Sequence, residues 1–185
     1  MNKLRLLAFL LLAAFFVQSC KKETVVGTAY TTAPFQANIN GATWAPDTLS
    51  STVSYDPTAQ TKTFVLSGTH DQKQITMSVT INSASNTPGF ATGTYNIDSV
   101  LVKAQYKTQV KDSQGNYVFL PHGTVGAGAG IIYVTAVDSV QKQITGTFQF
   151  YSRSQTVDGS GTISYTIDNI LGGEFNKLPY TYASN

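Results

Sequence analysis

An all-β domain is expected after Pro34, and three features of the chain predict it. Apolar and polar residues alternate with period two through most of the sequence. Turn-forming residues separate these runs. No segment beyond Pro34 keeps a helical repeat over about a dozen residues. About nine to eleven short strands at hairpin spacing give an antiparallel β-sandwich, with a closed lipocalin-like barrel as the alternative.

The first pair of strands lies around Asn40-Gly41, a dipeptide suited to a type I′ hairpin because both residues tolerate positive φ. Phe64 and Leu66 mark an interrupted strand. Ile75, Met77, Val79 and Ile81 alternate with Thr76, Ser78 and Thr80, which predicts a strand with one face buried. Val100, Val102, Ala104 and Tyr106 alternate with Leu101, Lys103 and Gln105. Residues 131–137 are apolar in both phases and predict a central strand covered on both sides. Ile144, Gly146, Phe148 and Phe150 define another inward face, and Ile163, Tyr165 and Ile167 the next. Turns are expected at Asp56-Pro57, His70-Asp71, Gln114-Gly115-Asn116, Asp138-Ser139 and Asp158-Gly159-Ser160-Gly161, with a longer loop through Asn86-Thr87-Pro88-Gly89. No internal repeat or second domain boundary is visible, so residues 35–185 read as a single β domain.

The N-terminus carries a different message. Lys3 and Arg5 precede an apolar run at residues 6–17, the length of a secretory signal and short of the about 20 residues a spanning helix needs. Val17-Gln18-Ser19-Cys20 resembles the bacterial lipobox, with an aliphatic residue at minus three and a small one at minus one. The resemblance implies cleavage before Cys20 and lipidation of its thiol. Residues 1–19 are then the signal peptide and 20–34 a lipidated, flexible tether. Each buried methylene contributes about 0.8 kcal/mol, so two or three acyl chains on one residue make a lasting membrane anchor. Cys20 is the only cysteine, which excludes a disulfide within one chain.

Of twelve Lys and Arg, Lys3 and Arg5 leave with the signal, and the ten that remain balance ten Asp and Glu. A chain of zero net charge lacks the positive field that nucleic-acid binding requires.

Four stretches carry a family resemblance: Phe35-Gln36-Ala37-Asn38-Ile39-Asn40-Gly41-Ala42-Thr43-Trp44, Pro88-Gly89-Phe90-Ala91-Thr92-Gly93-Thr94-Tyr95, Ile144-Thr145-Gly146-Thr147-Phe148-Gln149-Phe150 and Ile170-Leu171-Gly172-Gly173-Glu174-Phe175. They resemble an uncharacterised family of Bacteroidota lipoproteins known only as a domain of unknown function. The resemblance implies a β-rich lipoprotein and transfers no catalytic residues. In that phylum acidic residues just after the cysteine accompany surface export. Lys21-Lys22, with only Glu23 following, therefore implies an outer-membrane lipoprotein facing the periplasm.

Candidate chemistry is sparse. His70 and His122 are the only histidines and both fall in expected turns or loops, too few for a zinc site without carboxylates brought in by folding. Chain order permits a Ser-His-Asp arrangement, but there is no Gly-x-Ser-x-Gly elbow. The Asp residues sit mostly beside turn residues, where they cap their own backbone, and none is expected to interrupt an apolar strand face. Residues 123–130, with four glycines, lack the following helix and Lys of a phosphate loop. They read as a loop, a close backbone approach, or a lid over a binding mouth. Most phenylalanines, with Tyr133 and Tyr165, are expected in the core. Trp44, Tyr55, Tyr106, Tyr117 and Tyr151 are the candidate ligand face, able to stack sugars or hold an apolar ligand. The expectation is thus a lipid-anchored, non-enzymatic envelope module without cofactor or metal. Its partners would be the membrane and an envelope protein or glycan, and small-molecule or glycan binding is the alternative activity.

Overall fold

The computed structural model describes residues 33–184. Cys20, the signal segment and the tether to residue 32 lie outside the described residues. Twelve strands follow in chain order: β1 (Phe35–Ile39), β2 (Ala42–Trp44), β3 (Thr48–Asp56), β4 (Thr61–His70), β5 (Lys73–Asn82), β6 (Gly93–Asn96), β7 (Val102–Lys111), β8 (Tyr117–Pro121), β9 (Gly130–Asp138), β10 (Gln143–Val157), β11 (Ile163–Pro179) and β12 (Thr181–Ser184). They form two open six-stranded sheets, in the orders β2-β1-β11-β10-β9-β6 and β12-β3-β4-β5-β7-β8. The architecture is a β-sandwich and not a closed barrel, with one or more strands beyond the number expected. Every pairing is antiparallel except β12 with β3.

Local chemistry explains the regular parts. Asn40 and Gly41 have φ of 53° and 88°, as a tight hairpin between β1 and β2 requires. β4 and β5 bury alternate residues on one face, Phe64 and Leu66 opposite Val79 and Met77. On the other face Thr63 and Thr80 share a 3.0 Å hydrogen bond. The turn aspartates behave as expected. Asp56, Asp98, Asp112, Asp138 and Asp158 each accept backbone N–H bonds from residues two to four places on.

The core is built from aromatic rings laid over glycines. In the register of β10 with β11, Gly146 faces Phe175 and Phe148 faces Gly173. A Cβ on Gly146 would lie 2.0 Å from the Tyr133 carbonyl oxygen and 2.4 Å from the Phe175 ring. A Cβ on Gly173 would lie 2.4 Å from the Phe148 ring. Phe35 covers Gly68 of the opposite sheet in the same way and packs at 5.4 Å on Phe148. The rings therefore sit against backbone, and no side chain can replace these hydrogens without displacing them.

Bulges redirect β11. Phe148 pairs with Gly173 but Phe150 pairs with Ile170, so β11 carries one extra residue at Leu171-Gly172. Gly172 takes φ +54°, a value suited to a residue without Cβ. A one-residue insertion exchanges the faces of everything beyond it. Gly173 and Phe175 point inward, and so do Ile170 and Asp168. Ile163, Tyr165 and Ile167, expected inward, point to solvent and are each about half exposed.

Two other expectations are corrected here. β9 lies one strand from the sheet edge and is covered on one face only: Ile132 and Val134 are buried, while Tyr133 is 41% exposed. The seventh strand begins at Val102, and Val100 stands in the preceding turn with 70% exposure.

β10 and β11 also run past the body of the sandwich. β9 pairs with β10 only up to Gly130–Phe150, and β1 pairs with β11 only up to Ile39–Ile170. Beyond these points residues 152–157 pair with residues 163–168 as a two-stranded arm, closed by a turn capped by Asp158. On the other side, Lys62 pins the loop between β5 and β6. Its buried ammonium donates to Thr87 Oγ1 at 3.0 Å and to the Gly89 carbonyl at 2.8 Å. Burial lowers the pKa of this ammonium.

The glycine–aromatic contact yields a direct test. Gly146→Ala should lower the unfolding free energy by at least about 1–3 kcal/mol, the range for overpacking a filled core. Urea denaturation measures it, and an unchanged midpoint would show that the Phe175 ring is not held against this backbone.

Candidate functional site

The five aromatics of the expected ligand face do not share a surface. Trp44, Tyr55 and Tyr106 are core residues on β2, β3 and β7, each less than a tenth exposed. Tyr117 and Tyr151 are exposed, but on β8 and β10 of different sheets. Period-two patterning marks which residues share a phase but not which phase faces water, and three of these five took the buried one. Of the five, Tyr151 alone borders the cleft described below.

Folding assembles two polar groupings, and the first surrounds Asp168. This carboxylate is on the inner face of β11, contrary to the expectation that no acid interrupts an apolar face. Its Oδ1 accepts from Asn40 Nδ2 at 2.7 Å, and its Oδ2 lies 3.4 Å from His122 Nε2 without a hydrogen bond. His122 Nδ1 stands 3.3 Å from Thr108 Oγ1. The Tyr106 ring meets the imidazole edge-on at 5.8 Å. The buried Ser152 hydroxyl donates to the backbone carbonyl of His122, so it is turned away from the ring nitrogens. The result ties β7 of one sheet to the β1–β2 turn and β11 of the other. His122 is therefore more engaged than a solvated loop residue. His70, by contrast, pairs with exposed Asp47 and Asp71 at 3.3 and 3.2 Å. Among the described residues no three His, Cys, Asp or Glu side chains are grouped to hold a metal ion.

The second grouping lines a half-open cleft of about 610 Å³ between the arm and the glycine-rich loop. Tyr151, Arg153 and Gln155 present its strand side, with Ser154, and Pro121, Thr124, Gly126 and Ala127 its loop side. The loop is fastened to the arm by a pair of backbone bonds, Thr124 N–H to Arg153 C=O at 2.8 Å and Arg153 N–H to Thr124 C=O at 3.0 Å. Gly123 makes this approach feasible, because a Cβ there would meet the Arg153 carbonyl carbon at 2.7 Å. The close-approach reading of residues 123–130 thus describes both Gly123 and Gly130, whose added Cβ would lie 2.3 Å from the Gln149 carbonyl.

Arg153 is the centre of this cleft. Its guanidinium carbon lies 4.0 Å from the centroid of the Tyr165 ring, its diagonal neighbour on the outer face. Among the described residues no carboxylate lies within ion-pair distance of it. Sequence reading missed Arg153, Thr124 and Gln155. One signal was available: after residue 19 the chain has nine lysines and a single arginine. The missing piece was the outward phase of Tyr165, which creates the platform.

A family model described as a domain of unknown function, DUF6252, matches residues 31–179. No curated protein and no solved structure matches the chain.

Tyr106 supplies a pH test of the first grouping. Burial, and secondarily the negative charge of Asp168, raises the pKa of this phenol. A phenol that ionises later in the folded state supports the fold fully below its unfolded pKa of about 10, and this support is lost as the pH climbs through the folded value. Between about pH 9 and about pH 11 the urea midpoint of the wild type should fall, and that of Tyr106→Phe should fall less. Parallel curves for the two proteins would remove Tyr106 from the account.

Proposed function

The chain belongs to the DUF6252 family, and from that premise we propose that it is a lipid-anchored protein of the bacterial cell envelope that acts as a non-enzymatic interaction or structural module. The observation that carries this reading is Val17-Gln18-Ser19-Cys20 directly after a basic and then apolar N-terminus. Acyl chains on Cys20 hold the protein at a membrane, and the residues up to Phe35 link them to the first strand. Fully extended, that link reaches at most about 50 Å, enough to let the sandwich clear the headgroups. The basic pair Lys21-Lys22 favours an outer-membrane position facing the periplasm, in keeping with the Bacteroidota resemblance.

The non-enzymatic reading is supported by how the reactive side chains are used. Ser152 is committed to a carbonyl, and the imidazole of His122 lies between Thr108 and Asp168. The turn aspartates are occupied by their own backbone. The zero net charge of the chain after residue 19 speaks against nucleic acid as partner. Small-molecule or glycan binding remains the second reading, favoured by the cleft beside Arg153.

The anchor is tested by Cys20→Ala. The wild type should sediment with membranes and take up radiolabelled palmitate, whereas the variant should take up none and leave the membrane fraction. A variant that is still labelled and membrane-bound would sink the proposal.

A further inference from the structure

We propose that the cleft between the β10–β11 arm and residues 121–127 is a binding site for an acidic glycan, with Arg153 receiving a sugar carboxylate. This rests on reading the domain as a binding module, but not on its lipid anchor. A guanidinium offers a planar fork of N–H donors that matches a carboxylate, and it is usually paired when it serves structure alone. Arg153 is exposed, lies over the Tyr165 ring and has no carboxylate partner among the described residues. The ring supports one face of the guanidinium and restricts its position, while its donor edges stay open to an incoming anion.

The rest of the cleft suits a sugar better than a peptide. Tyr151 offers an exposed ring for stacking on a pyranose face, and Thr124, Ser154 and Gln155 offer donors and acceptors for hydroxyl groups. A peptide added as a strand would need the free edge of β10, and at Arg153 that edge is already bonded to Thr124. The cleft is half open, with a volume of about 610 Å³. That is within the range of ligand sites, and its open form lets a longer chain continue beyond it. Gly126 and Ala127, both exposed, bring only small side chains to the loop side of the cleft.

The test uses the full-length lipidated protein in detergent, titrated calorimetrically with tetragalacturonate, its methyl ester and oligoglutamate. The free uronate should bind at least about tenfold more tightly than the ester, which keeps the rings and hydroxyls but loses the charge. Arg153→Lys keeps the charge but loses the fork, and should weaken uronate binding by about tenfold. Both residues of the Arg153–Tyr165 pair are exposed, so melting temperatures should stay within a few degrees of the wild type and certify the fold. If the variant does not fold, the acid-against-ester comparison on the wild type decides. No binding of the uronate, equal binding of acid and ester, or undiminished binding by a folded Arg153→Lys would overturn the proposal. Oligoglutamate binding as tightly as the uronate would assign the cleft to acidic peptides instead. A Cys20→Ala protein that stays on membranes leaves each of these outcomes unchanged.

Discussion

The mutual fit of Gly146 with Phe175 and Phe148 with Gly173 is the contact on which the arrangement of this molecule depends. Each ring occupies the space that a neighbouring side chain would have filled, so a shift of β11 by one residue would drive a ring into a Cβ. The register is therefore set from inside the core. With these pairs held, the extra residue at Leu171-Gly172 can only bulge, and the bulge exchanges the faces of β11. Asp168 goes in and Tyr165 comes out as consequences of one backbone event.

The same event prepares both polar groupings. Inward Asp168 meets Asn40 and His122, elements of opposite sheets, at the end of the sandwich where the arm begins. A buried carboxylate with one oxygen lacking a hydrogen bond carries a desolvation penalty, which the Asn40 bond and the nearby imidazole offset in part. Outward Tyr165 lies diagonally across the ladder from Arg153, at the distance where a guanidinium can rest on a ring. The arm projects because neither β9 nor β1 follows the two strands to their turn, and the loop after β8 returns to bond it at Ser152 and Arg153. The cleft lies beside these attachments, between the loop and the arm.

Much of the architecture was legible in the sequence because most strands are unbroken. β4 and β5 keep one phase from end to end, and apart from Lys62 their buried residues are the alternating apolar ones and Gly68; β4, expected as an interrupted strand, is continuous from Thr61 to His70. The turns were legible for a similar reason: Asn40-Gly41 and Asp158-Gly159-Ser160-Gly161 carry their conformation in local chemistry. Bulged strands hide their faces. Ile163, Tyr165, Ile167, Gly173 and Phe175 share odd numbering and look like one continuous face, yet the insertion divides them into an outer and an inner set. The candidate site suffered most from this. A pocket that depends on the outward phase of Tyr165 cannot be recovered from alternation alone, and alternation equally concealed that Trp44, Tyr55 and Tyr106 point into the core.

Lys62 and Arg153 show how the fold separates a charge used for construction from one left available. Lys62 is buried, and it spends its donors on Thr87 and Gly89 in a loop that crosses between the sheets. Burial lowers the pKa of this ammonium, and the two bonds to the loop satisfy donors that water would otherwise serve. Arg153 is exposed and keeps its hydration, so leaving it without a carboxylate costs the fold little. Its contact with Tyr165 limits how far the side chain roams and thereby reduces the entropy a ligand would have to remove. A cation that is held in place, hydrated and unpaired adds little to stability. Its placement makes physical sense chiefly as preorganisation for an anion that arrives from outside.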